Sequence, residues 1–446
     1  MIWTSETVAN ILNTDRPEER SFSEISTDSR SLRRDALFVA LVGERFDGHD
    51  YLAVARDAGA AGAVVRRGTP SVDGLILFAV DDPLSALGLL ARARRREVSG
   101  PVVAVTGTNG KTATKEMLAK ALGTRWSVHA TASNLNNLIG VPQTILSAQD
   151  GNEALVVEAG ANIVGEIDRL RQIIEPTVAV VTNVSAGHLA GFGTLDGVLA
   201  EKASLASGVE LAVVGTRPPA LRDAVNRHAG RVVTAGIDGD PDVCPESWTV
   251  RADGKTSFTC AGHQIALPVI GRHNVENALL AVAVALELGL DLGRVARALE
   301  DVRLPGGRCE VQRHGDLTIL NDTYNANPES LTASLQTAAA LRGNRPFVVV
   351  VGSMLELGDQ ASRLHRESAE EILRENPTLI AATGDFIGAF EGSDTAADRI
   401  VVSRDVEELG RVLRSRLEGN EFVLVKASRG VQLERVIPFL TKENEA

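Results

Sequence analysis

A glycine-rich segment with one lysine is the part of the sequence best suited to chemistry. Residues 106–112 read TGTNGKT, after an apolar run at 101–106 and before a helix-like stretch at 111–122. Glycines at such a turn let backbone N–H groups approach phosphate oxygens, and the start of a helix adds partial positive charge. The lysine can reach the β- and γ-phosphates of a nucleotide, and the next hydroxyl can bind Mg²⁺. We therefore predict a phosphate site built from Gly107, Thr108, Asn109, Gly110, Lys111 and Thr112.

One position departs from the usual phosphate-loop pattern, which has glycine where this chain has Val105. The alternative interpretation is a tight strand-to-helix turn with an incidental lysine. The flanking strand and helix favour the phosphate loop, because they form the context that it requires. A carboxylate for a metal is then expected nearby. Glu158 ends the run ALVVE, and an acid at the end of a parallel strand points into the ligand crevice. The alternative for Glu158 is an ordinary exposed strand end.

The composition excludes several classes of protein. The chain has 446 residues, enough for about three domains, and its 44% apolar and 23% charged residues are typical of globular proteins. Aromatic residues make up only 4%, and the net charge is -12, so a stacking platform or a broad surface for nucleic acid is not expected. Three cysteines without a C-x-x-C pair predict neither a zinc site nor a disulfide framework. The start of the chain lacks the pattern of a secretory signal, and no apolar run is long enough to span a membrane. These features predict a cytoplasmic, multi-domain α/β protein.

Short apolar runs alternate with helix-like stretches, which favours parallel sheets covered by helices. Gly-Pro and Pro-Gly-Gly breaks at 100–101 and 305–307 divide the chain, and we predict domains at 1–98, 99–310 and 311–446. An antiparallel element is predicted within 231–270, and helices at 51–60 and about 274–289. Strands are predicted at 36–42 and 62–66, at 101–106, 154–158, 177–182 and 210–215, and at 346–352, 379–383, 399–402 and 421–426.

Further motifs, in a fixed order, resemble those of a known family. The phosphate loop is followed by NLNNLIGVP at 134–142, EAG at 158–160, TN at 182–183 and HL at 188–189. This series closely resembles the ATP-dependent Mur ligases, the amide-forming enzymes of peptidoglycan precursor synthesis, and folylpolyglutamate synthases share part of it. DSR at 28–30, LFVAL at 37–41 and FDGH at 46–49 resemble the UDP-binding first domain of the tripeptide-forming and the D-alanyl-D-alanine-adding branches. DTYNANP at 322–328, and MLELG at 354–358 with His365, resemble the second of these branches in particular.

The resemblance implies a fold and a reaction. The fold would be a small N-terminal α/β domain that binds UDP, a central P-loop domain with a parallel sheet, and a C-terminal Rossmann-like domain that binds the incoming dipeptide. The reaction would join D-alanyl-D-alanine to UDP-N-acetylmuramoyl-tripeptide and release ADP. A carboxylate is a poor electrophile, so ATP would first convert it to an acyl phosphate. Two anions meet in that step, which requires cations such as Lys111 and Mg²⁺.

The family's metal ligands map onto four residues of this chain. By resemblance, Thr112 and Glu158 hold one Mg²⁺, and His188 and Lys202 hold a second. An ammonium ~4 Å from Mg²⁺ would be repelled by about 8 kcal/mol at an effective dielectric constant of ~20. The family avoids this by carbamylating the lysine, and we hypothesise the same for Lys202. The alternatives are a solvated helix lysine, and for His188 a surface or core histidine.

Contacts with the substrates are also implied by the resemblance. The first residues of an Ala-rich helix would contact the adenine end of ATP, with N-capping of that helix as the alternative. A hinge arginine would reach the phosphates. Ala427 stands where the family has glycine, and alanine disfavours positive φ. The implied nucleotide contacts are His273, Asn274, Asn277, Arg308, Asp322 and Tyr324. The implied contacts of the UDP-peptide and the dipeptide are Ser29, Arg30, Asn134, Asn137, Asn325, Asn327, Ser428 and Arg429.

Other functions stay open from the sequence. A folate-type ligase lacks a UDP-binding first domain, which residues 1–98 provide, and the tripeptide-forming branch usually carries a D-N-P-R motif that is not found here. A P-loop switch without ligase activity is the alternative of another class, and Glu158, His188 and Lys202 together disfavour it. We expect a monomer whose segment 311–446 closes over the phosphate loop, because the acceptor amine must reach the acyl phosphate.

Overall fold

A four-stranded parallel sheet organises the N-terminal part of the chain. The computed structural model describes residues 2–15, 17–43, 46–187, 189–251, 254–392 and 397–441. In the first part, the strands are ordered β3-β4-β5-β6, and a short antiparallel pair, β1 and β2, lies outside this sheet. The elements are β1 Trp3–Thr4, α1 Ser5–Leu12, β2 Ser21–Phe22, β3 Ile25–Ser26, β4 Ala36–Val39, α2 Leu52–Asp57, β5 Ala60–Arg66, β6 Ile76–Val80 and α3 Pro83–Arg95.

The central part contains a parallel sheet of six strands in the order β12-β11-β10-β7-β9-β8. Its strands are β7 Val102–Thr106, β8 Val128–Ala130, β9 Ala154–Glu158, β10 Val178–Val181, β11 Leu211–Val214 and β12 Arg231–Thr234. Its helices are α4 Lys111–Leu122, α5 Gly140–Leu146, α6 Glu166–Ile174, α7 Leu189–Phe192, α8 Leu195–Ala203, α9 Leu221–Asn226, α10 Arg272–Glu287 and α11 Leu292–Leu299. A separate antiparallel sheet consists of β13 Ser247–Val250, β14 Lys255–Cys260 and β15 His263–Ile270.

The C-terminal part has a second six-stranded sheet in the order β16-β17-β21-β18-β19-β20, in which only β16 runs antiparallel. Its strands are β16 Glu310–His314, β17 Leu317–Asp322, β18 Phe347–Val351, β19 Leu379–Ala382, β20 Ile400–Val402 and β21 Phe422–Lys426. Its helices are α12 Pro328–Arg342, α13 Ala361–Arg374, α14 Asp385–Ala389, α15 Val406–Arg414 and α16 Ile437–Thr441.

Near-continuous apolar sequence explains why the long parallel strands were predictable. Strands β7, β9 and β10 are buried along their whole length, as is expected where helices cover both faces of a sheet. The predicted ten strands all occur, some shorter by one to three residues, and the helix at the phosphate loop begins at Lys111 and ends at Leu122 as predicted. The expected antiparallel element is confirmed from Ser247 onward. Residues 231–234 do not belong to this element, because β12 pairs in parallel with β11 at the edge of the main sheet.

Strand order places the phosphate loop at a natural ligand crevice. The chain leaves β7 for β8 and β9 on one side of the sheet and then crosses to β10 on the other. In a doubly wound sheet, ligands bind at the carboxyl ends of the strands where the direction of winding changes. The loop after β7 lies at this point. Among the described helices, none combines the length and the apolar character that crossing a membrane requires.

Candidate active site

A cavity of about 680 Å³ lies between the central and C-terminal parts of the molecule. The phosphate loop, the end of β9 and the start of α10 form one side. The loop after β17 and the segment after β21 form the other. The predicted site residues that line it are Thr108, Asn109, Gly110, Lys111, Thr112, Asn134, Asn137, Glu158, His273, Asn274, Asn277, Arg308, Asp322, Tyr324, Asn325, Ser428 and Arg429.

The backbone of the phosphate loop requires its two glycines. Gly107 has φ +143° and Gly110 has φ +79°, values that L side chains rarely adopt. A Cβ atom would also lie 2.0 Å from Thr182 Oγ1 at the first position and 2.2 Å from Asn277 Oδ1 at the second. Helix α4 begins directly after the loop without a side-chain cap, so its first N–H groups are available to an anion. Val105 replaces the expected glycine inside buried strand β7, where its side chain is part of the core.

Lys111 lies along the phosphate loop. Its Nζ donates hydrogen bonds to the carbonyl oxygens of Gly107 at 2.9 Å and Thr108 at 3.0 Å. Burial lowers the pKa of Lys111, whereas the nearby Glu158 carboxylate acts in the opposite direction. The amine therefore lies against the backbone of the loop. There it can replace its hydrogen bonds to these carbonyl oxygens with hydrogen bonds to phosphate oxygens.

A hydroxyl and a carboxylate meet at the base of the loop. Thr112 Oγ1 donates to Glu158 Oε2 at 2.9 Å, and Asn136 Nδ2 donates to Glu158 Oε1 at 2.8 Å. Glu158 is only 3% exposed, so it is not an ordinary exposed strand end. Oxygen ligands of this kind suit Mg²⁺, which commonly combines one or two carboxylates with substrate phosphates. Within the described ranges, no three His, Cys, Asp or Glu side chains form a metal-binding group, so a cation here would need the phosphates as well.

Lys202 is buried rather than solvated. On α8, its side chain is 1% exposed, its Nζ is 3.5 Å from the oxygen of Ala161, and it lies 5.2 Å above the ring of Phe192. Burial, together with the positive charge of Lys111, lowers the pKa of Lys202 to about 7. This shift favours the unprotonated amine. His188, the other predicted ligand of the second metal, lies outside the described residues.

The start of α10 forms a network of amides beside the loop. Asn277 Oδ1 accepts from Thr114 Oγ1 at 3.3 Å, and Asn274 Nδ2 donates to the oxygen of Ile270 at 2.7 Å. The N-cap of α10 is Gly271, which has no capping side chain, so the two asparagines are not plain N-caps. Burial lowers the pKa of His273, which favours the neutral form of this imidazole.

Arg308 joins the two sides of the cavity. Its guanidinium lies 3.6 Å from the centre of the Tyr324 ring, and its Nη2 donates to Thr112 Oγ1 at 3.2 Å. Its Nη1 is buried without a hydrogen-bond partner. An unpartnered buried donor costs roughly 1–3 kcal/mol, and a phosphate oxygen would satisfy it. The residues 107–112, Glu158, 273–277 and Arg308 are called the nucleotide cradle below.

Asp322 and Lys426, which both line the cavity, form a buried ion pair. Lys426 Nζ donates to Asp322 Oδ2 at 2.5 Å, and Ser334 Oγ donates to the same oxygen at 2.5 Å. Burial raises the pKa of Asp322, but the charge of Lys426 and the hydrogen bonds from Lys426 and Ser334 together outweigh it and hold that pKa below its ordinary value. Asp322 also accepts from the N–H of Cys309 at 3.1 Å. The carboxylate therefore supports the segment that carries Arg308.

The first turn of α12 lies on the phosphate loop. Asn327 Nδ2 donates to Asn109 Oδ1 at 2.7 Å, and Asn109 Nδ2 donates to Glu329 Oε2 at 2.9 Å. Asn327 is also the N-cap of α12 and forms a capping box with Ser330. The C-terminal part thus covers the loop in this structure.

Predicted substrate residues differ in their surroundings. Ser428 Oγ accepts from the N–H of Leu355 at 2.9 Å and donates to the oxygen of Ala326 at 3.3 Å, so it joins two loops. Ala427 is fully buried and is absent from the residues with positive φ, so alanine is accommodated at this position. Asn137 lies just before α5, and its Oδ1 accepts from the N–H groups of Ile139 and Gly140. The exposed residues of this set are Arg30, Asn134, Asn137, Asn325 and Arg429.

The segment 27–30, called the N-terminal turn below, does not line the cavity. Arg30 Nε and Nη2 donate to Asp28 Oδ1 and Oδ2, both at 2.8 Å, and hydrogen bonding to Arg30 lowers the pKa of Asp28 to about 2. Gln143 Nε2 donates to Thr27 Oγ1 at 2.6 Å and joins this turn to α5.

Sequence reasoning missed several residues of this site. Asn136, Asn183 and Lys426 bind predicted residues through their side chains, and each lies inside or beside a motif that was recognised. Glu201, which lies next to Lys202, was also missed. Chain position alone does not distinguish Asn136 from Asn134 or Asn137, because the orientation of each side chain depends on the turn between β8 and α5.

Family models match along most of the chain. Residues 21–95 match the Mur ligase family catalytic domain, residues 105–285 the Mur ligase middle domain, and residues 307–429 the Mur ligase glutamate ligase domain. The UDP-N-acetylmuramoyl-tripeptide–D-alanyl-D-alanine ligase of Bacillus subtilis is 33% identical over 445 residues, which cover 97% of this chain and 96% of the relative.

Solved structures agree with these matches. MurF from Acinetobacter baumannii superimposes with a TM-score of 0.91 at 30% identity and covers 99% of both chains. The MurF ligase from Thermotoga maritima in complex with ADP superimposes with a TM-score of 0.83 at 30% identity, over 94% of this chain and 97% of that one. The three-domain α/β fold and the phosphate-loop site define an ATP-dependent, amide-forming ligase. The chain belongs to the Mur ligase family.

Proposed function

We propose that this protein joins D-alanyl-D-alanine to UDP-N-acetylmuramoyl-tripeptide in the cytoplasmic synthesis of peptidoglycan precursors, with ATP converted to ADP and phosphate. One observation carries the proposal: a single cavity joins the nucleotide cradle to the loops around Asn325, Ser428 and Arg429. ATP-driven activation of a carboxylate needs both halves in one space. The relatives with this activity match nearly the full length of the chain.

The reaction proceeds in two steps. The terminal carboxylate of the UDP-tripeptide attacks the γ-phosphorus, the bond to the β-phosphate oxygen breaks, and an acyl phosphate and ADP form. The amine of D-alanyl-D-alanine then attacks the acyl carbon, loses a proton, and expels phosphate as the amide forms. Lys111 and Arg308 place positive charge beside the phosphates and offset the repulsion between the two anions. Holding the partners in line can lower the barrier by roughly 7–11 kcal/mol.

Thr112 and Glu158 are the residues that would hold Mg²⁺, and the cation would screen the charge on the phosphates. The buried pair of oxygen atoms at 2.9 Å fits this role. We propose that Lys202, together with His188, serves a second Mg²⁺ after carbamylation. Support comes from the low pKa of about 7, since an unprotonated amine is the form that adds CO₂. The carbamate would supply the oxygen ligands that an ammonium lacks.

We propose ligand contacts for the remaining residues of the site as well. His273, Asn274 and Asn277 would border the adenine end of ATP, with Tyr324 and Asp322 placing Arg308. Ser29, Arg30, Asn134 and Asn137 would hold the UDP-peptide, and Asn325, Asn327, Ser428 and Arg429 would hold the dipeptide. We propose domains at 1–98, 99–310 and 311–446 in a monomer. Their closure on substrates should appear in solution scattering as a smaller radius of gyration with an ATP analogue and the UDP-tripeptide.

The test measures ADP release and the mass of the product with ATP, UDP-N-acetylmuramoyl-tripeptide and D-alanyl-D-alanine, each omitted in turn. We expect ADP and a pentapeptide product only when all three are present. Replacing the tripeptide with a shorter UDP-muramoyl peptide, or with folate and glutamate, should give no ligation. ATP hydrolysis that ignores both the tripeptide and the dipeptide would instead indicate a nucleotide switch and would overturn the proposal.

A further inference from the structure

Glu201 is a buried acidic residue next to Lys202, and it has no role in the reaction described above. Glu201 lies on α8 and is 6% exposed. Its Oε2 accepts the N–H of Gly165 at 2.8 Å, and its Oε1 accepts the N–H of Ile167 at 2.8 Å. Both carboxylate oxygens are therefore engaged by the start of α6, more than thirty residues earlier in the chain.

Helix α6 depends on this carboxylate because it has no cap of its own. The residue before the helix is Gly165, with φ +90° and no side chain to accept a hydrogen bond. The first N–H groups of a helix need partners, and the partial positive charge there favours a carboxylate. Glu201 supplies both from another helix. The side chain of Glu201 therefore serves α6 as an N-cap side chain would, although it lies on another helix.

The capped end of α6 is one end of a loop that begins at Glu158. Residues 159–165 connect β9 to α6, and the oxygen of Ala161 in this loop is 3.5 Å from Lys202 Nζ. The middle of the loop is tied to α6 as well, because Glu166 Oε2 accepts the N–H groups of Asn162 at 2.8 Å and Ile163 at 3.2 Å. Two consecutive residues of α8 thus hold both the middle and the end of one loop.

We propose that Glu201 is a positioning residue that fixes the separation between Glu158 and Lys202. The inference rests on the proposed function, in which these two groups serve the two Mg²⁺ ions. The carboxylate does not touch substrate or metal. It holds the loop that starts at one metal-binding residue against the helix that carries the other. Partners of metal ligands commonly change metal affinity by 10–100-fold when they are removed.

The experiment compares three variants of the full-length protein. Glu201→Ala removes both acceptors, and Glu201→Gln keeps the size but offers one acceptor and one donor to two N–H groups. Glu421→Gln is the matched control, because Glu421 is 4% exposed and accepts the N–H groups of Glu418 at 2.6 Å and Gly419 at 2.9 Å. It does not line the cavity. Thermal unfolding of each variant shows how much stability is lost.

Two measurements separate positioning from plain stability. In Glu201→Ala we expect the Mg²⁺ concentration for half-maximal ADP release to rise about 10–100-fold, with the KM for ATP within about two-fold of the wild type. Glu201→Gln should lie between the alanine variant and the wild type. In protein equilibrated with ¹³C-bicarbonate, the NMR signal of a lysine carbamate should weaken in the same order. Glu421→Gln should lose comparable thermal stability without either change.

Wild-type values of Mg²⁺ dependence and carbamate signal in Glu201→Ala would overturn the inference. So would equal changes in Glu421→Gln, or the absence of a carbamate from the wild-type protein. The carbamate signal needs no turnover, so it reports on Lys202 whichever amide the enzyme makes. Failure of the ligase proposal would appear separately, as a wild-type protein that makes no pentapeptide product.

Discussion

The nucleotide cradle and the N-terminal turn are built in opposite ways. In the cradle, polar side chains are bonded to residues far along the chain: Thr112 to Glu158, and Arg308 to Thr112 across 196 positions. In the N-terminal turn, exposed Arg30 is bonded to Asp28 only two positions away. Phosphoryl transfer depends on charges that are fixed before the reaction, whereas a surface that only binds can adjust to its ligand. Variants of the cradle should therefore change stability or turnover, and variants of the turn only substrate affinity.

The largest effect should come from the ion pair behind the cradle. In Lys426→Met, the buried Asp322 loses its partner, and we expect the free energy of unfolding to fall by about 3–5 kcal/mol at pH 7. The pair holds the pKa of Asp322 below its ordinary value, so it contributes stability above about pH 4 and loses it as the pH falls. In the variant, burial is no longer opposed by Lys426, and the hydrogen bond from Ser334 offsets only part of it, so that pKa rises. The difference in free energy of unfolding between the wild type and Lys426→Met should therefore become smaller as the pH falls, as measured by urea unfolding between pH 4 and pH 7.

The double variant Asp322→Asn with Lys426→Met is the control for that experiment. It removes both charges from the buried site, so it should recover a large part of the stability that Lys426→Met loses. If the stability lost in Lys426→Met does not change with pH, the packing of the lysine side chain, and not the ion pair, stabilises this side of the cavity.

Loss of the phosphate-loop lysine should affect turnover rather than folding. Lys111→Ala removes the amine at the floor of the loop, and we expect kcat for ADP release to fall by about 10²–10³-fold, as for other groups that stabilise charge in a transition state. Thermal unfolding should change little. Lys120→Ala, an exposed lysine on the same helix, should retain wild-type kcat. If kcat falls equally in the two variants, Lys111 has no specific role in the reaction.

The same contrast explains what the sequence could predict. The phosphate loop is a local pattern whose glycine positions follow from the backbone itself, and the parallel strands are marked by apolar runs such as PVVAVT. Pairings across long stretches of chain leave no such pattern. Asp322 and Lys426 are 104 positions apart, and the contact of Glu201 with Gly165 depends on how α8 packs beside α6. Short strands were missed for a related reason: β8 has three residues and none is fully buried, so no apolar run marks it.

Contact between α12 and the loop should give an intermediate effect. Asn327→Ala removes an N-cap and the amide pair with Asn109, and we expect a loss of about 1 kcal/mol in stability and weaker ATP binding. Asp405→Ala removes a comparable N-cap from α15, which lies outside the cavity. It should lose similar stability with unchanged ATP affinity by calorimetry. If ATP affinity falls equally in both variants, the amide pair does not couple the C-terminal part to the cradle.

The smallest effect on folding should come from the N-terminal turn. An exposed ion pair contributes little to stability, so Arg30→Ala should leave unfolding nearly unchanged. If this arginine binds a phosphate of the UDP group, losing that charged hydrogen bond should raise the KM for the UDP-tripeptide about ten-fold or more, with kcat and the KM for ATP unchanged. Arg34→Ala is the matched control, an exposed arginine a few residues away. An unaltered KM in Arg30→Ala would exclude the turn from substrate binding. A fall in kcat would instead show that the turn acts in the chemical step. That result would contradict the expectation that variants of the turn change only substrate affinity.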